Sequence, residues 1–361
     1  MDQARIDCLR LARSGQIGPI TYRALVARFG SASMALAAIP DLAARGGGRP
    51  PRLADPADVA REIARSQKLG ANYVFIGEPD YPGLLAEMEG APPALIYRGD
   101  LRLAMRRCVG MVGARNASAA ACRFARILAQ GLAAEGVVVV SGLARGIDTA
   151  AHQGAIDGGT IGVIASGIDI AYPPENAALQ DDVAQRGLLL AEQPPGTQPL
   201  ARHFPSRNRI IAGLSVGTVV VEAAPKSGSL ITARLAAEAG RDVMAVPGSP
   251  LDPRAQGCNQ LIRDGATLVQ SAADILEAIG PIDALRFREP PALFTPSPSQ
   301  GDASDADRRT IGALLGPVPV PVDELIRQSG LSAPLVQIVL LELELAGRVE
   351  RHAGGRISRI P

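Results

Sequence analysis

Short β-branched runs alternate with helical stretches between Cys108 and about Gly280, and this alternation constrains the fold more than any other feature. The six candidate strands are residues 108–112, 137–140, 161–165, 188–191, 219–222 and 243–246. Continuously apolar strands separated by helices are typical of a parallel sheet that is covered on both faces. We therefore expect an α/β fold with a doubly wound, Rossmann-like sheet at its core.

The remaining chain predicts two smaller modules around this core. Residues 1–70 indicate a helical domain, in which GQIGPI at 15–20 separates two amphipathic helices. Residues 71–280 form the predicted core domain, with 71–104 as an extension before the first core strand. Residues 281–307 are rich in Pro, Ser and Asp and predict a linker. Residues 308–361 predict three helices and a hairpin, the pattern of a winged helix.

Composition narrows the class of protein. The 361 residues include 37 basic and 36 acidic side chains, and 47% of the chain is hydrophobic, as in globular proteins. Four scattered cysteines and three distant histidines indicate neither a disulfide framework nor a metal site. The charged N-terminus does not fit a signal peptide, and no apolar run reaches the roughly 18 residues of a membrane span. We expect a cytoplasmic protein without cofactor, metal or membrane insertion.

Four loops follow strands at the carboxyl edge of the predicted sheet, where doubly wound folds bind ligands. They are residues 113–118, 141–148, 192–209 and 222–233. Their glycines and serines allow backbone and hydroxyl groups to approach a phosphate, although the same glycines could serve only tight turns. Because GxGxxG and GxxxxGK[ST] are both absent from these loops, dinucleotide binding and P-loop ATP hydrolysis are disfavoured.

The net charge of +1 conceals two basic windows. Residues 101–134 hold six arginines and residues 193–221 hold three, and neither window contains an acid, which leaves −8 on the rest of the chain. Arg115 and the arginines from 202 to 209 fall on the predicted ligand edge, and separated arginines suit an extended polyanion. Phe204 could stack a base there, or pack beneath its own loop.

Candidates for catalysis are few. Glu222 ends a strand at the ligand edge and keeps a nucleotide-processing hydrolase open as an alternative function. Asp148 and His152 lie four residues apart on one helix, a spacing that favours a structural ion pair over a catalytic one. A purely structural scaffold is a third hypothesis.

Seven sequence blocks resemble the DNA-processing protein A family, also called Smf. They occur in order over about 160 residues and are VGAR (112–115), SGLARGIDTAAHQGA (141–155), GIDIAYPPEN (167–176), FPSRNRIIAGLS (204–215), EAAPKSGSLITA (222–233), AVPG (245–248) and GCNQLIRDGA (257–266). The pre-core segments YPGLL (81–85) and APPALIYRGD (91–100) are similar as well. The resemblance implies a Rossmann-like homodimer that binds single-stranded DNA, protects incoming DNA from nucleases and loads the RecA recombinase onto it in natural transformation. We therefore expect a binding protein and not an enzyme.

The resemblance also implies where DNA would bind. In the family, basic residues of the VGAR, FPSRNR and KSGS blocks line the DNA pocket, and the glycines and serines of the same loops allow close backbone approach. The residues expected at the site are Gly113, Arg115, Ser141, Gly142, Arg145, Gly146, Arg202, Phe204, Arg207, Asn208, Arg209, Lys226, Ser227, Gly228 and Ser229.

The two terminal modules are also similar to domains of the family. GQIGP resembles a helix-hairpin-helix turn in a sterile-alpha-motif-type domain, which could contact DNA phosphate or protein. The predicted recognition helix of the winged helix, SAPLVQIVLLELELAG, holds Glu342 and Glu344 but no basic residue. Major-groove reading favours basic or amide side chains, and the helix offers only Gln337, so sequence-specific binding of duplex DNA by it is not expected. The wing could still contact phosphates through Arg348, Arg351, His352, Arg356 and Arg359, or the module could contact protein or serve regulation.

Overall fold

The computed structural model describes residues 1–280, 302–352 and 354–360. The described residues form two compact units. Residues 62–280 form the core unit, and residues 1–61 together with those from Asp302 onwards form the terminal unit. The N-terminal helices and the C-terminal module, which the sequence predicts as two domains, lie in the same compact unit.

The terminal unit begins with three helices, α1 (Gln3–Arg13), α2 (Pro19–Phe29) and α3 (Ala32–Arg45). Pro19 stands in the first turn of α2, where its missing N–H leaves no bond unmade, and Gly30 ends that helix in the left-handed conformation. Ser31 then caps α3 by accepting from the Met34 amide. A fourth helix, α4 (Pro56–Lys68), leads into the core unit.

The core unit contains a nine-stranded sheet with the order β1-β2-β6-β5-β4-β3-β7-β8-β9. Strands β3 to β9 run parallel, and β1 and β2 add an antiparallel edge. The strands are β1 (Asn72–Phe75), β2 (Ala94–Gly99), β3 (Cys108–Gly113), β4 (Val138–Ser141), β5 (Thr160–Gly167), β6 (Leu188–Gln193), β7 (Gly217–Val221), β8 (Asp242–Ala245) and β9 (Thr267–Leu268).

All six predicted strands are confirmed, within a few residues at each end. The additional strands β1, β2 and β9 were not predicted because they are short or lie outside the alternating pattern. The central strands β4, β5 and β7 are buried along their whole length, which agrees with their apolar sequence.

Helices cover both faces of the sheet. They are α5 (Gly83–Ala86), α6 (Ala119–Ala134), α7 (Ile147–Ala155), α8 (Ala177–Arg186), α9 (His203–Leu214), α10 (Gly228–Glu238), α11 (Gln256–Arg263) and α12 (Ala272–Ala278). On one face α7 and α12 pack against α6, and on the other α5 and α10 pack against α9. Leu128 and Leu132 of α6 are fully buried in the core beneath β3, β4 and β7.

The winged helix follows in the described part of the C-terminal region. It contains α13 (Asp305–Leu314), β10 (Val320–Pro321), α14 (Val322–Ser329), α15 (Ala333–Leu345), β11 (Val349–His352) and β12 (Arg356–Arg359), with strand order β10-β12-β11. Ser304 and Asp307 form a capping box at the start of α13, so this helix begins inside the predicted linker. Residues 281–301 of that predicted linker lie outside the described residues.

The N-terminal helices contact the winged helix inside the terminal unit. The Thr21 hydroxyl donates to the Glu344 carboxylate at 2.9 Å, and Arg28 and Arg45 both bind Asp302. In the described parts of the chain, no single helix is long and apolar enough to span a membrane, although α2 and α3 pass the length and composition test as a pair bent by 103°.

Candidate functional site

The order of the strands reverses between β3 and β7. The chain adds β4, β5 and β6 on one side of β3 and then adds β7 and β8 on the other. Ligands of doubly wound folds bind in the crevice at such a switch point, at the carboxyl ends of the strands. Here the loops after β3 and β7 border the crevice, and the amino end of α9 lies beside the loop after β4.

Three side chains form a cluster at this edge, which we call the Arg115 cluster: Arg115, Phe204 and Tyr172. The guanidinium carbon of Arg115 lies 5.3 Å from the centroid of the Phe204 ring. The ring of Tyr172 lies 5.6 Å from the same ring at an angle of 58°, and 45% of Tyr172 is exposed. The cluster therefore presents a cation together with two aromatic rings.

Tyr172 was not among the predicted site residues. It lies in the block GIDIAYPPEN after β5, and it is one of few aromatic residues in the core region. That scarcity, combined with its position after a parallel strand, was the signal that could have identified it. Phe204 is half-buried and its ring contacts Arg115. It therefore packs partly within the protein, as one expectation held, and keeps part of its surface free for the stacking that the other expectation proposed.

Arg207 points into the protein, and only 6% of the residue is exposed. Its Nη1 donates to the carbonyl oxygens of Gly142 at 2.5 Å and Val163 at 2.7 Å, and its Nε donates to the Asn208 side-chain oxygen at 3.1 Å. This arrangement differs from the expected direct contact with phosphate, because carbonyl groups already engage the guanidinium. Arg207 instead ties α9 to the ends of β4 and β5.

Burial lowers the pKa of Arg207 to about 10, with the nearby Arg115 acting in the same direction and Asp148 opposing it. Asp148 is buried as well, and desolvation raises the pKa of its carboxyl, while Arg207 and backbone N–H groups of the loop counteract that rise. Its Oδ2 accepts from the Ala144 amide at 3.3 Å. Arg207 and Asp148 therefore both hold the loop after β4 from its buried side, through the Gly142 carbonyl and the Ala144 amide.

The other basic candidates differ in their partners. Arg209 donates to Glu192 at 2.6 Å, and Arg145 pairs with Glu175. Arg202 and Lys226 are exposed, and neither side chain has a carboxylate within salt-bridge distance among the described residues. The free positive charge at this edge therefore comes from Arg115, Arg202 and Lys226.

The amino end of α10 faces the crevice from the β7 side. Ser227 caps the helix by accepting from the Ser229 amide, and the two hydroxyls lie 2.7 Å apart. Lys226 adopts a left-handed backbone conformation with φ of 66°, which is strained for a side chain of this kind. Asn208 donates to the Gly228 carbonyl at 3.3 Å and so connects α9 to this turn. A helix start with a lysine beside it favours an anion.

The four glycines of the predicted site fall into two groups. A Cβ at Gly113, Gly142 or Gly146 would overlap protein atoms, namely Val221, Arg207 and Ala114 respectively. These three glycines are required by close packing within the protein, as the tight-turn alternative anticipated. A Cβ at Gly228 would meet no atom within 4 Å, so its backbone is open to a ligand. The Ser141 hydroxyl is also used internally, donating to the Met111 carbonyl at 2.6 Å.

The candidates for catalysis have structural partners. Both carboxylate oxygens of Glu222 accept from Ser118, one from its amide at 2.8 Å and one from its hydroxyl at 2.6 Å, at the start of α6. His152 contacts Thr160 at 2.8 Å, so the expected ion pair with Asp148 is wrong. Burial lowers the pKa of His152 to about 3, which keeps the ring neutral. No group of metal-ligating side chains was found in the described ranges.

The family described as DNA recombination-mediator protein A matches residues 72–280 of the chain. The chain belongs to the DNA recombination-mediator protein A family. Its ends match two further domains of the family, the DprA-like N-terminal HHH domain over residues 2–64 and the DprA winged helix domain over residues 295–355. The resemblance drawn from the seven sequence blocks is thereby confirmed.

Relatives of this recombination-mediator family are similar over most of the chain. Protein Smf of Synechocystis sp. is 36% identical over 329 residues, which are 82% of each chain. DNA processing protein DprA of Streptococcus pneumoniae is 50% identical over 198 residues, or 54% of this chain and 70% of that one.

Two solved structures of the family resemble the fold. The X-ray structure of DprA from Streptococcus pneumoniae has a TM-score of 0.59 and 45% identity, covering 62% of this chain and 78% of that one. DNA processing protein A from Helicobacter pylori has a TM-score of 0.52 and 28% identity, covering 60% and 96%, and its structure is described in terms of a single-stranded DNA binding mode.

Proposed function

We propose that this family member binds single-stranded DNA at the carboxyl edge of its core sheet and acts as a recombination mediator without catalysing a reaction. The Arg115 cluster is the observation that carries the proposal. An exposed guanidinium beside two rings suits a strand whose phosphate contacts the cation and whose base stacks on an aromatic face. The single-stranded DNA binding described for the Helicobacter pylori relative supports it.

The DNA path in this proposal runs from the Arg115 cluster to the amino end of α10. Arg115 and Arg202 stand on the strand's route, and Lys226 with the open Gly228 backbone receives a further phosphate. Arg207 supports the path without touching DNA, because it holds the loop after β4 and the start of α9 together. A phosphate beside Arg115 also relieves the repulsion between Arg115 and Arg207 that helps lower the pKa of Arg207.

A tryptophan reporter tests the stacking contact directly, since the chain contains no Trp. In Phe204→Trp the new indole is the sole tryptophan, and a base stacked on it quenches its emission. Phe29→Trp is a matched control, because Arg28 also lies over the Phe29 ring, at 5.6 Å. We expect saturable quenching by oligo(dT) for Phe204→Trp and none for Phe29→Trp.

A second variant distinguishes the edge from the rest of the surface. Arg115→Ala removes an exposed cation at the carboxyl edge. Arg186→Ala removes another exposed arginine, which lies just before β6 at the opposite edge and pairs with Asp157. We expect Arg115→Ala to weaken oligo(dT) binding about tenfold or more and Arg186→Ala to leave it nearly unchanged. Equal effects of the two variants, together with an unquenched Phe204→Trp, would refute the proposed site.

The later steps in the pathway rest on the family resemblance. The chain would act as a homodimer in the cytoplasm and load RecA recombinase onto the bound strand. Four free cysteines are consistent with a reducing compartment. Sedimentation of the full chain tests the dimer. Strand exchange by RecA on DNA that carries single-strand-binding protein, with and without this chain, tests the loading.

A further inference from the structure

A cavity of about 320 Å³ lies within the terminal unit, between the end of α3 and the winged helix. Its charged lining consists of five arginines and one carboxylate. The arginines come from three places: the last residue of α3, the helix α13 and the wing, where one precedes β11 and the other lies in β12. They are Arg45, Arg308, Arg309, Arg348 and Arg359, and the carboxylate is Glu342.

Glu342 neutralises only Arg308. The two side chains form a double hydrogen bond at 2.8 and 3.0 Å, and Glu342 is fully buried. The Glu342 carboxylate raises the pKa of Arg308 above its ordinary value through that bond. This pair is therefore complete without a ligand and forms the floor of the cavity.

The other cations of the cavity are poorly compensated. Arg45 binds Asp302, at 2.7 Å. Arg309, Arg348 and Arg359 are exposed, and among the described residues no carboxylate lies within salt-bridge distance of any of them. Three uncompensated guanidinium groups around one cavity repel one another, and a multiply charged anion relieves that repulsion.

The apolar lining of the cavity consists of Leu315, Val339, Leu343 and Val349. Val339 is fully buried and Leu315 and Val349 are almost so, which leaves Leu343 as the partly exposed member. The cavity volume falls at the lower end of the range for small-molecule sites, roughly 300–1,000 Å³. A cationic rim beside a small apolar surface fits a ligand that has phosphates at one end and a flat ring at the other.

The backbone keeps the two walls at a fixed separation. A Cβ at Gly46 would overlap the carbonyl of Glu342, and one at Gly48 would overlap the carbonyl of Ala346, so the turn after α3 lies directly against α15. The Gly46 amide also donates to the Leu42 carbonyl at 3.0 Å and closes the end of α3. The cavity is therefore preformed by close backbone contact.

We propose that this cavity is a second ligand site, which binds a nucleotide carrying two or three phosphates. The phosphates contact Arg309, Arg348 and Arg359, and the base lies against Leu343, the partly exposed apolar residue of the lining. Because α3 and the winged helix both line the cavity, the bound nucleotide stabilises the contact between the N-terminal helices and the winged helix. The site lies in the terminal unit, whereas the proposed DNA site lies in the core unit, so the two proposals can fail separately.

The test uses the full chain and ATP labelled with a fluorescent N-methylanthraniloyl group, followed by fluorescence anisotropy. The test variant carries both Arg348→Gln and Arg359→Gln. Arg327→Gln is the control, since Arg327 is an exposed arginine of the same winged helix that pairs with Glu324 and does not line the cavity. We expect saturable binding that the double variant weakens at least tenfold and the control leaves unchanged.

Competition identifies what is bound and where. Unlabelled ATP should displace the labelled nucleotide, and oligo(dT) at concentrations that saturate the core site should not. Displacement by sulfate at the same concentration as ATP would refute the nucleotide assignment. Absence of saturable binding, equal binding by the double variant, or displacement by oligo(dT) would each refute the cavity as the nucleotide site, irrespective of whether the Phe204→Trp experiment succeeds.

Discussion

Arg115 lies close enough to Arg207 to lower its pKa, yet we expect replacing the two arginines to have opposite consequences. Arg115 is exposed and stacked on Phe204, whereas Arg207 is buried and donates to three oxygen atoms. Arg115→Met should abolish most DNA affinity and preserve stability. Arg207→Met should destabilise the core and affect DNA binding only through the displaced loop.

The size of the Arg207 effect follows from the bonds that its side chain makes. Hydrogen bonds from a charged group contribute about 1.5–3 kcal/mol each, so the three bonds set an upper limit of roughly 5–9 kcal/mol. Burial opposes the charged form, as the pKa lowered to about 10 indicates. We therefore expect Arg207→Met to lose about 3–5 kcal/mol, the range found when one partner of a buried ionic network is removed.

The same electrostatics predicts the stability of Arg115→Met. Arg115 lowers the pKa of Arg207, so its removal relieves a repulsion and leaves the free energy of unfolding unchanged or slightly higher. Circular dichroism during urea unfolding measures both variants, because the chain has no Trp for fluorescence. Hydrogen exchange of residues 138–167 reports on β4 and β5 directly. Loss of less than about 1 kcal/mol in Arg207→Met, with DNA binding reduced as in Arg115→Met, would refute the separation of roles.

Three further predictions follow from single residues. Gly142→Ala should destabilise the core by about 1–3 kcal/mol because its Cβ would overlap Arg207. Gly228→Ala should preserve stability and weaken oligo(dT) binding several-fold. If thermal melting and DNA titration gave the reverse result, the division of the glycines into packed and open positions would be wrong. His152 is buried, and its pKa of about 3 keeps it neutral in the folded protein at pH 5, whereas in the unfolded chain it takes up a proton between pH 7 and pH 5. This difference should lower the free energy of unfolding by about 2 kcal/mol from pH 7 to pH 5. Urea titrations of His152→Gln at both pH values should show a decrease that is smaller by this amount. Glu222→Gln should lower stability by about 1 kcal/mol by weakening the hydrogen bonds from Ser118, and it should leave oligo(dT) binding unchanged. The hydrolase alternative would be favoured if the native chain released free base from nucleoside monophosphates and this variant did not.

The fold was largely predictable because its strands are buried on both faces. Such strands appear in the sequence as continuous apolar runs, and all six predicted strands lie within a few residues of strands of the nine-stranded sheet. The strands β1 and β2 pair antiparallel at the edge of the sheet, and β9 has two residues, so none produces that pattern. The grouping of the two chain ends in one unit depends on contacts such as Thr21 with Glu344, which no local pattern encodes.

The candidate site was predictable as a set of loops but not as a set of side-chain roles. Chain topology alone places Arg115, Phe204 and Lys226 at one edge. Whether an arginine points outward or inward depends on tertiary partners, and Arg207 turned inward because the carbonyls of Gly142 and Val163 required donors. Charge counting also overstated the site, since Arg102 pairs with Asp100 and Arg106 bonds to carbonyls before β3, at the opposite edge.

The salt dependence of DNA binding distinguishes the charge counted from the sequence from the charge that the structure leaves free at the site. The two windows in the sequence carry +9. In the structure Arg102 and Arg209 pair with carboxylates and Arg207 binds carbonyls, so Arg115 and Arg202 are the free cations that the windows contribute to the site, and Lys226 adds a third from outside them. Each phosphate neutralised on a single strand contributes about 0.7 to the slope of log K against log salt concentration. Three contacts predict a slope of about −2 per bound chain, and nine predict about −6. A titration of oligo(dT) between 50 and 200 mM salt distinguishes the two values. A slope near −6 would mean that the paired arginines exchange their carboxylates for phosphate.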